Sequence, residues 1–251
     1  KASNFDKAYV EPILQFSRWS IDYACGAVGF LTQGLLVSSM VTWFYDRALF
    51  RGARLRDLPS DSEGPRFVIC AANLSTGSLW RFSRTYMADW RLGLIREPDF
   101  SLAKAVAASS AFPPVLSPMR LNLARYRFEP EGPQAGDSIE ADPLLVDVYR
   151  QAVLTDGGAY DNHGLEPVDE WPTVFVSDGG MPHALKRGGC WTWYGQVRRV
   201  LDIEDNQVRS LRRRQLVRRF RNAAAFAEAN IGPDHLLFRQ NACLGTYWGF
   251  G

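Results

Sequence analysis

Gln151-Ala-Val-Leu-Thr-Asp-Gly-Gly-Ala-Tyr-Asp-Asn-His-Gly-Leu-Glu-Pro167 begins as a short apolar run and breaks into Asp-Gly-Gly. The run has the length and composition of a strand, and the tripeptide has the chemistry of a turn. An aspartate side chain can bond the backbone two residues on, and glycine accepts backbone angles that other residues avoid. The pattern predicts a strand over Gln151–Thr155 that delivers one carboxylate, Asp156, into a turn shaped by Gly157 and Gly158. A second instance follows, where Thr173-Val-Phe-Val-Ser177 runs into Asp178-Gly179-Gly180.

Upstream, Arg66-Phe-Val-Ile-Cys-Ala-Ala72 reads as a buried strand and Ser78–Ser83 as another. The Ala-rich stretch Leu102–Ala111 reads as a helix halted by Pro113 and Pro114, whose nitrogens cannot donate. Two further helices are expected at the start, Tyr9–Ile21 and about Leu35–Phe50, separated by a turn around Gly26 and Gly29. Helices alternating with buried strands point to an α/β sheet with helices on both faces, in which ligands sit beyond the carboxyl ends of the strands. Both Asp-Gly-Gly turns then fall where chemistry occurs. Glu129–Asp142, dense in Pro, Gly and acidic residues, reads as an exposed insertion within a single domain over residues 1–251.

Apolar residues at 46% and charged residues at 22% are ordinary globular values, and a net charge of +2 gives no bulk reason to expect a polyanionic partner. Cys25, Cys70, Cys190 and Cys243 are too widely spaced for a C-x-x-C zinc clamp, so buried thiols in a reducing, cytoplasmic compartment are expected and no metal is. No signal peptide follows Lys1. Tyr23–Tyr45 is uncharged and long enough to cross a bilayer, but a helical projection gathers Ser38, Ser39, Thr42 and Asp46 on one stripe and Leu36, Met40, Trp43 and Phe44 opposite. That is an amphipathic helix, packed on the protein or lying at a membrane interface.

Leu154-Thr-Asp-Gly-Gly-Ala-Tyr-Asp-Asn-His-Gly-Leu-Glu-Pro167 closely resembles the aspartate motif of bacterial patatin-like phospholipases, in which D-G-G is followed by D-N and then G-L-E-P. Ala71-Ala-Asn-Leu-Ser-Thr-Gly77 resembles their strand-end A-T-N-L-x-T-G segment, and Ala103–Pro118 their small-residue helix with its double-proline exit. Val176-Ser-Asp-Gly-Gly-Met-Pro182 and Asp205-Asn-Gln-Val-Arg-Ser-Leu-Arg212 extend the likeness. The resemblance implies a three-layer α/β/α sandwich, incomplete at the N-terminus and at the C-terminus. It also implies a cofactor-free lipid acyl hydrolase of phospholipase A or lysophospholipase type, working through a Ser-Asp dyad on a lipid acyl ester. Asp156 would be the catalytic aspartate, with Gly157, Gly158 and Asn162 shaping its site.

The nucleophile of such enzymes stands on a G-x-S-x-G elbow, and no G-x-S-x-G occurs in these 251 residues. The resemblance places that segment, and the glycine-rich oxyanion loop, before Lys1; this chain alone is then expected to be inactive. Ser75, Ser78, Ser109 and Ser110 lack the elbow's paired glycines and read as structural. The rival reading is a non-catalytic lipid-binding scaffold on the same fold. Asp178 lacks the D-N-x-G-L-E-P continuation, so Asp156 is preferred as base. His163, His183 and His235 match neither H-x-x-x-H nor H-E-x-x-H ligation; His163 fits a local turn bond or a substrate contact. Nine arginines between Arg198 and Arg221 fit a solvated helix, attraction to lipid headgroups with peripheral membrane contact, or, as the weakest reading, nucleic acid. Around Trp191-Thr-Trp-Tyr194, core packing and a substrate wall stay open.

Overall fold

Short connections after Asn73, Ser83 and Asp89 decide the larger sheet, because strands joined this tightly can only run antiparallel. A computed structural model describes residues 4–18, 36–113, 116–129, 147, 149–180 and 192–249. The chain forms two compact units, Lys1–Tyr160 and Asp161–Gly251.

In the first unit, β1 (Val68–Asn73), β2 (Ser78–Ser83), β3 (Tyr86–Asp89), β4 (Gly93–Arg96), β5 (Met119–Asn122) and β6 (Gln151–Asp156) form a sheet in the order β4-β3-β2-β1-β6-β5. Every pairing is antiparallel, and Asp156 stands opposite Ala71 of β1. Among the described residues the same unit has the helices α1 (Glu11–Ser17), α2 (Val37–Tyr45, running into a π-helical turn, Asp46–Phe50) and α3 (Leu102–Ser109). Ser101 caps α3 by accepting the Lys104 N–H. Its Ala103, Ala105, Ala107 and Ala108 are buried, and such small side chains let the helix lie close against α2, β1 and β6. Around it pack Trp80, Phe82, Met87, Leu92 and Phe100, with the Phe82 and Phe100 rings stacked 5.4 Å apart.

One carboxylate is buried at the far end of β3. Asp89 accepts from Asn73 Nδ2 at 2.9 Å, Thr76 Oγ1 at 2.7 Å and the Arg91 N–H at 2.9 Å. Asn73 and Thr76 belong to the Ala71–Gly77 segment, so that segment turns the chain from β1 into β2 around a polar anchor. Gly77 takes a φ of +69°, which closes the turn at no steric cost.

In the second unit β7 (Thr173–Asp178) pairs in parallel with β8 (Leu244–Gly249), and the return is made by α4 (Trp193–Glu228) and α5 (Leu236–Asn241). A parallel pair needs such a crossover. Leu165, Val174, Val176, Leu216 and Cys243 form its core, with Ala223, Phe238 and Ala242 as a smaller cluster.

The mixed α/β class expected from the sequence is the class found. The sheet carrying Asp156 is not the parallel kind in which ligands sit beyond the carboxyl ends of the strands; it is a meander joined to one further antiparallel pair. The inward stripe of α2 also differs: Val37 and Val41 are buried while Leu36 and Trp43 are exposed, because the helix meets α3 along its valine side. The expected Gly26–Gly29 turn, Cys25, Cys190, His183 and all but Glu129 of the expected insertion lie outside the described residues. Glu129 itself bridges to Leu94 at the sheet edge. No helix among the described residues is long and apolar enough to cross a membrane.

Replacing Asp89 with Ala would leave the buried Asn73 amide and Thr76 hydroxyl without their acceptor. The expected cost is about 3 kcal/mol in urea unfolding, against no resolvable loss for Asp61→Ala, whose carboxylate pairs with Arg66 at the surface.

Candidate active site

The end of β6 is held by backbone. The Asp156 N–H donates to the Ala111 carbonyl at 3.0 Å and the Gly157 N–H to the Ser109 carbonyl at 3.2 Å. Thr155 Oγ1 donates to the same Ala111 carbonyl at 2.9 Å and accepts from Ser117 Oγ at 3.0 Å. The strand end is thus tied to the exit of α3, whose last carbonyls have no partner within the helix. Asp156 Oδ1 accepts the Gly158 N–H at 2.6 Å, the side-chain turn expected of Asp-Gly-Gly. At Gly157 a Cβ would overlap the Cys70 carbonyl oxygen, so only glycine lets the turn lie this close to β1. Asp156 is half-buried.

The rest of the motif builds the second unit. Asp161 is buried and its Oδ2 accepts the Glu166 N–H at 2.7 Å, closing the loop between them. Gly164 takes a φ of +61° inside that loop, and Leu165 enters the core. Asn162 donates to Asp205 Oδ1 on α4 at 3.1 Å. Of the four sequence-derived site residues, Asp156, Gly157 and Gly158 share one turn, while Asn162 belongs to this second structure.

Asp178 ends β7 with the same side-chain turn, its Oδ1 accepting the Gly180 N–H at 2.9 Å. Its surroundings are otherwise very different. Tyr247 on β8 donates its hydroxyl to Oδ2 at 2.6 Å, His163 Nε2 lies 3.2 Å away and Arg209 Nε on α4 lies 3.4 Å away. Burial raises the carboxyl's pKa. The Tyr247 hydroxyl, the Gly180 N–H, His163 and Arg209 outweigh it and hold the value at about 2. Tyr247 shifts upward, through burial first and its bond to Asp178 next. His163 therefore reaches across the unit to a carboxylate rather than bonding locally. Nothing in the spacing of the sequence signals the Asp178, Tyr247, His163 and Arg209 cluster, since its members come from four separate segments.

The serines lie where local structure uses them. Ser110 Oγ bonds the Val106 carbonyl and the Tyr45 hydroxyl, the Ser75 N–H bonds Asn73 Oδ1, and Ser78 pairs with Thr76. Among the described residues no three His, Cys, Asp or Glu side chains group as a metal would require.

Asp156 is thus a half-buried carboxylate on a strand-end glycine turn in a mixed α/β unit. The chain belongs to the patatin-like phospholipase family, whose sequence model it matches over residues 12–169. Lipid hydrolysis is the general activity of that family. The match takes in Asp156 and the D-N-x-G-L-E-P run and stops before Asp178, so the two later blocks of resemblance lie beyond it. No curated protein and no solved structure matches the chain.

Because Asp178 has a folded-state pKa below its ordinary 3.8, its contribution to stability is complete above about pH 4 and is lost as pH falls toward 2. The linkage is worth about 2 kcal/mol. Urea unfolding followed against pH should show that loss in the native chain, and Asp178→Asn should be less stable at neutral pH with a flatter limb over the same window.

Proposed function

We propose that this chain is the aspartate-bearing part of a lipid acyl hydrolase of phospholipase A or lysophospholipase type. Asp156 accepts the proton of a serine supplied by sequence outside these 251 residues. The observation that carries the reading is the difference between the two Asp-Gly-Gly carboxylates. Asp178 is buried and surrounded by four donors, an environment suited to a permanent anion. Asp156 is only half-buried, on a turn fixed by three hydrogen bonds from the end of β6 and Gly157 to the α3 exit.

The chemistry follows from that placement. A serine hydroxyl is a far weaker acid than a carboxylic acid, so its proton must pass to the base as the oxygen attacks the ester carbonyl. The base then returns the proton to the leaving alcohol, and water repeats the cycle on the acyl-enzyme. Gly157 supports this by bringing the turn close to the β1 backbone, and Gly158 by fixing one carboxylate oxygen. Asn162 supports it indirectly, by tying the loop after the turn to α4.

With the upstream sequence restored, Asp156→Asn should lower acyl-ester hydrolysis by about 100-fold or more with an unchanged circular-dichroism spectrum. Asp178→Asn should keep turnover at pH 7 wherever it is folded. The opposite pattern would move the base to Asp178, and a full-length protein that binds lipid without hydrolysing it would establish the scaffold reading.

The partner that fits α4 is an anionic lipid surface. Trp193, Val197, Val200 and Leu211 lie along one exposed face, with Glu204 and Gln207 between the last two, and Arg214, Arg218 and Arg221 continue the same line at i, i+4 and i+7. Trp193 is 81% exposed, which rules out core packing for it. Arg209 and Arg219 belong to ion pairs with Asp178 and Asp169 and are excluded from this role. Charge reversal at Arg214, Arg218 and Arg221 should weaken binding to anionic vesicles and flatten its salt dependence, read by sedimentation. Unchanged binding would leave α4 an ordinary solvated helix.

A further inference from the structure

A cavity of about 640 Å³ opens in the first unit between the start of α3 and the far end of the β5–β6 pair. Four cationic side chains line it, Arg54, Lys104, Arg120 and Arg125, against one acid, Asp99. Asp99 is already engaged, pairing with Arg54 and, at 3.6 Å, with Arg56. Arg125 is fixed in place, donating to the Asp99 carbonyl at 3.0 Å and to the Tyr126 hydroxyl at 2.7 Å, with its guanidinium over the Tyr126 ring. Lys104 and Arg120 have no acidic partner among the described residues. The cavity therefore carries an uncompensated positive charge on walls of defined shape. Ser101 Oγ has already satisfied the Lys104 N–H, so side-chain charge rather than the helix terminus makes the site.

We infer that this cavity binds a phosphate-bearing anion. Two guanidinium groups fixed on the rim and two unpaired cations facing the same space match a tetrahedral oxyanion, which can accept from several donors at once. The site is separate from the Asp156 turn. Arg120 and Asn122 of β5 pair with Val153 and Gln151 of β6, three and five residues before Asp156, which puts roughly 10–15 Å of strand between them. One phospholipid cannot bridge that span, because its phosphate lies only a few bonds from its ester. The anion is thus an additional ligand and not the headgroup of the lipid being cleaved. α3 and the β5–β6 pair both run from the cavity to the carbonyls and strand end that hold Asp156, so occupancy braces the frame of that turn. The anion site stands whether or not Asp156 is the base.

Inorganic phosphate titrated into the 251-residue chain at constant ionic strength should raise its melting temperature saturably, where chloride does not. Lys104 and Arg120 are exposed, so Lys104→Gln with Arg120→Gln should fold normally and bind phosphate about tenfold or more weakly. Arg47→Gln with Arg91→Gln, at exposed positions outside the cavity lining, should leave phosphate affinity unchanged. Phosphatidylcholine vesicles doped with phosphatidic acid distinguish the source. Weaker vesicle binding by the Lys104 and Arg120 variant identifies a lipid headgroup, and binding equal to the native chain identifies a free phosphate compound. A phosphate response no larger than that to chloride, or one undiminished in the Lys104 and Arg120 variant, would overturn the site.

Discussion

The first unit turns on the junction between a strand end and a helix exit. A helix leaves its last carbonyls without internal partners, and a strand that stops leaves amides in the same condition. Here each deficit satisfies the other: Ser109 and Ala111 accept from Gly157, Asp156 and Thr155. The alanines of α3 make this geometrically possible, since larger side chains would hold the helix away from β1 and β6. Cys70 contributes its carbonyl to the same close approach, which is why a glycine is required opposite it. The position of the Asp156 turn follows from main-chain bonds and small residues.

The run that carries the family resemblance serves two structures. Asp156-Gly157-Gly158 closes the first unit, while Asp161, Asn162, His163, Gly164 and Leu165 each hold a different part of the second. The two Asp-Gly-Gly turns are alike in backbone and opposite in environment. At Asp178 the neighbouring tyrosine, histidine and arginine turn the carboxylate into a fixed counter-charge joining two strands and a helix. At Asp156 bonds to the Ala111 and Ser109 carbonyls fix the turn, and the Gly158 N–H holds one carboxylate oxygen.

The strands were legible because their apolar runs end in recognisable turn residues: Gln151–Asp156, Thr173–Asp178 and Ser78–Ser83 lie where those runs predict. The helix over Leu102–Ser109 was legible from its alanines and prolines. Strand direction was harder to read, since an apolar run looks the same whichever way its neighbour travels, and only the shortness of the connections decides it. The inward face of α2 was misplaced because hydrophobicity does not distinguish Val41, which meets α3, from Trp43, which faces solvent. The Asp178 cluster and the cationic cavity were invisible for a related reason. Their members are scattered along the chain and become neighbours only once the chain has folded.

The parallel pairing of β7 with β8 also sets an order of events during synthesis. Thr173 finds its partner Leu244 only about 70 residues later, after both helices of the crossover have been made. At roughly 5–20 residues per second, β7 spends several seconds on the ribosome with one edge bare and the Asp178 carboxylate waiting for Tyr247. The meander β1–β4 of the first unit has no such delay, but β1 then waits about 85 residues, from Ala71 to Asp156, for β6 to cover its other edge. Both units therefore hold an open strand edge while its partner is still being made, and both nascent forms depend on chaperone cover.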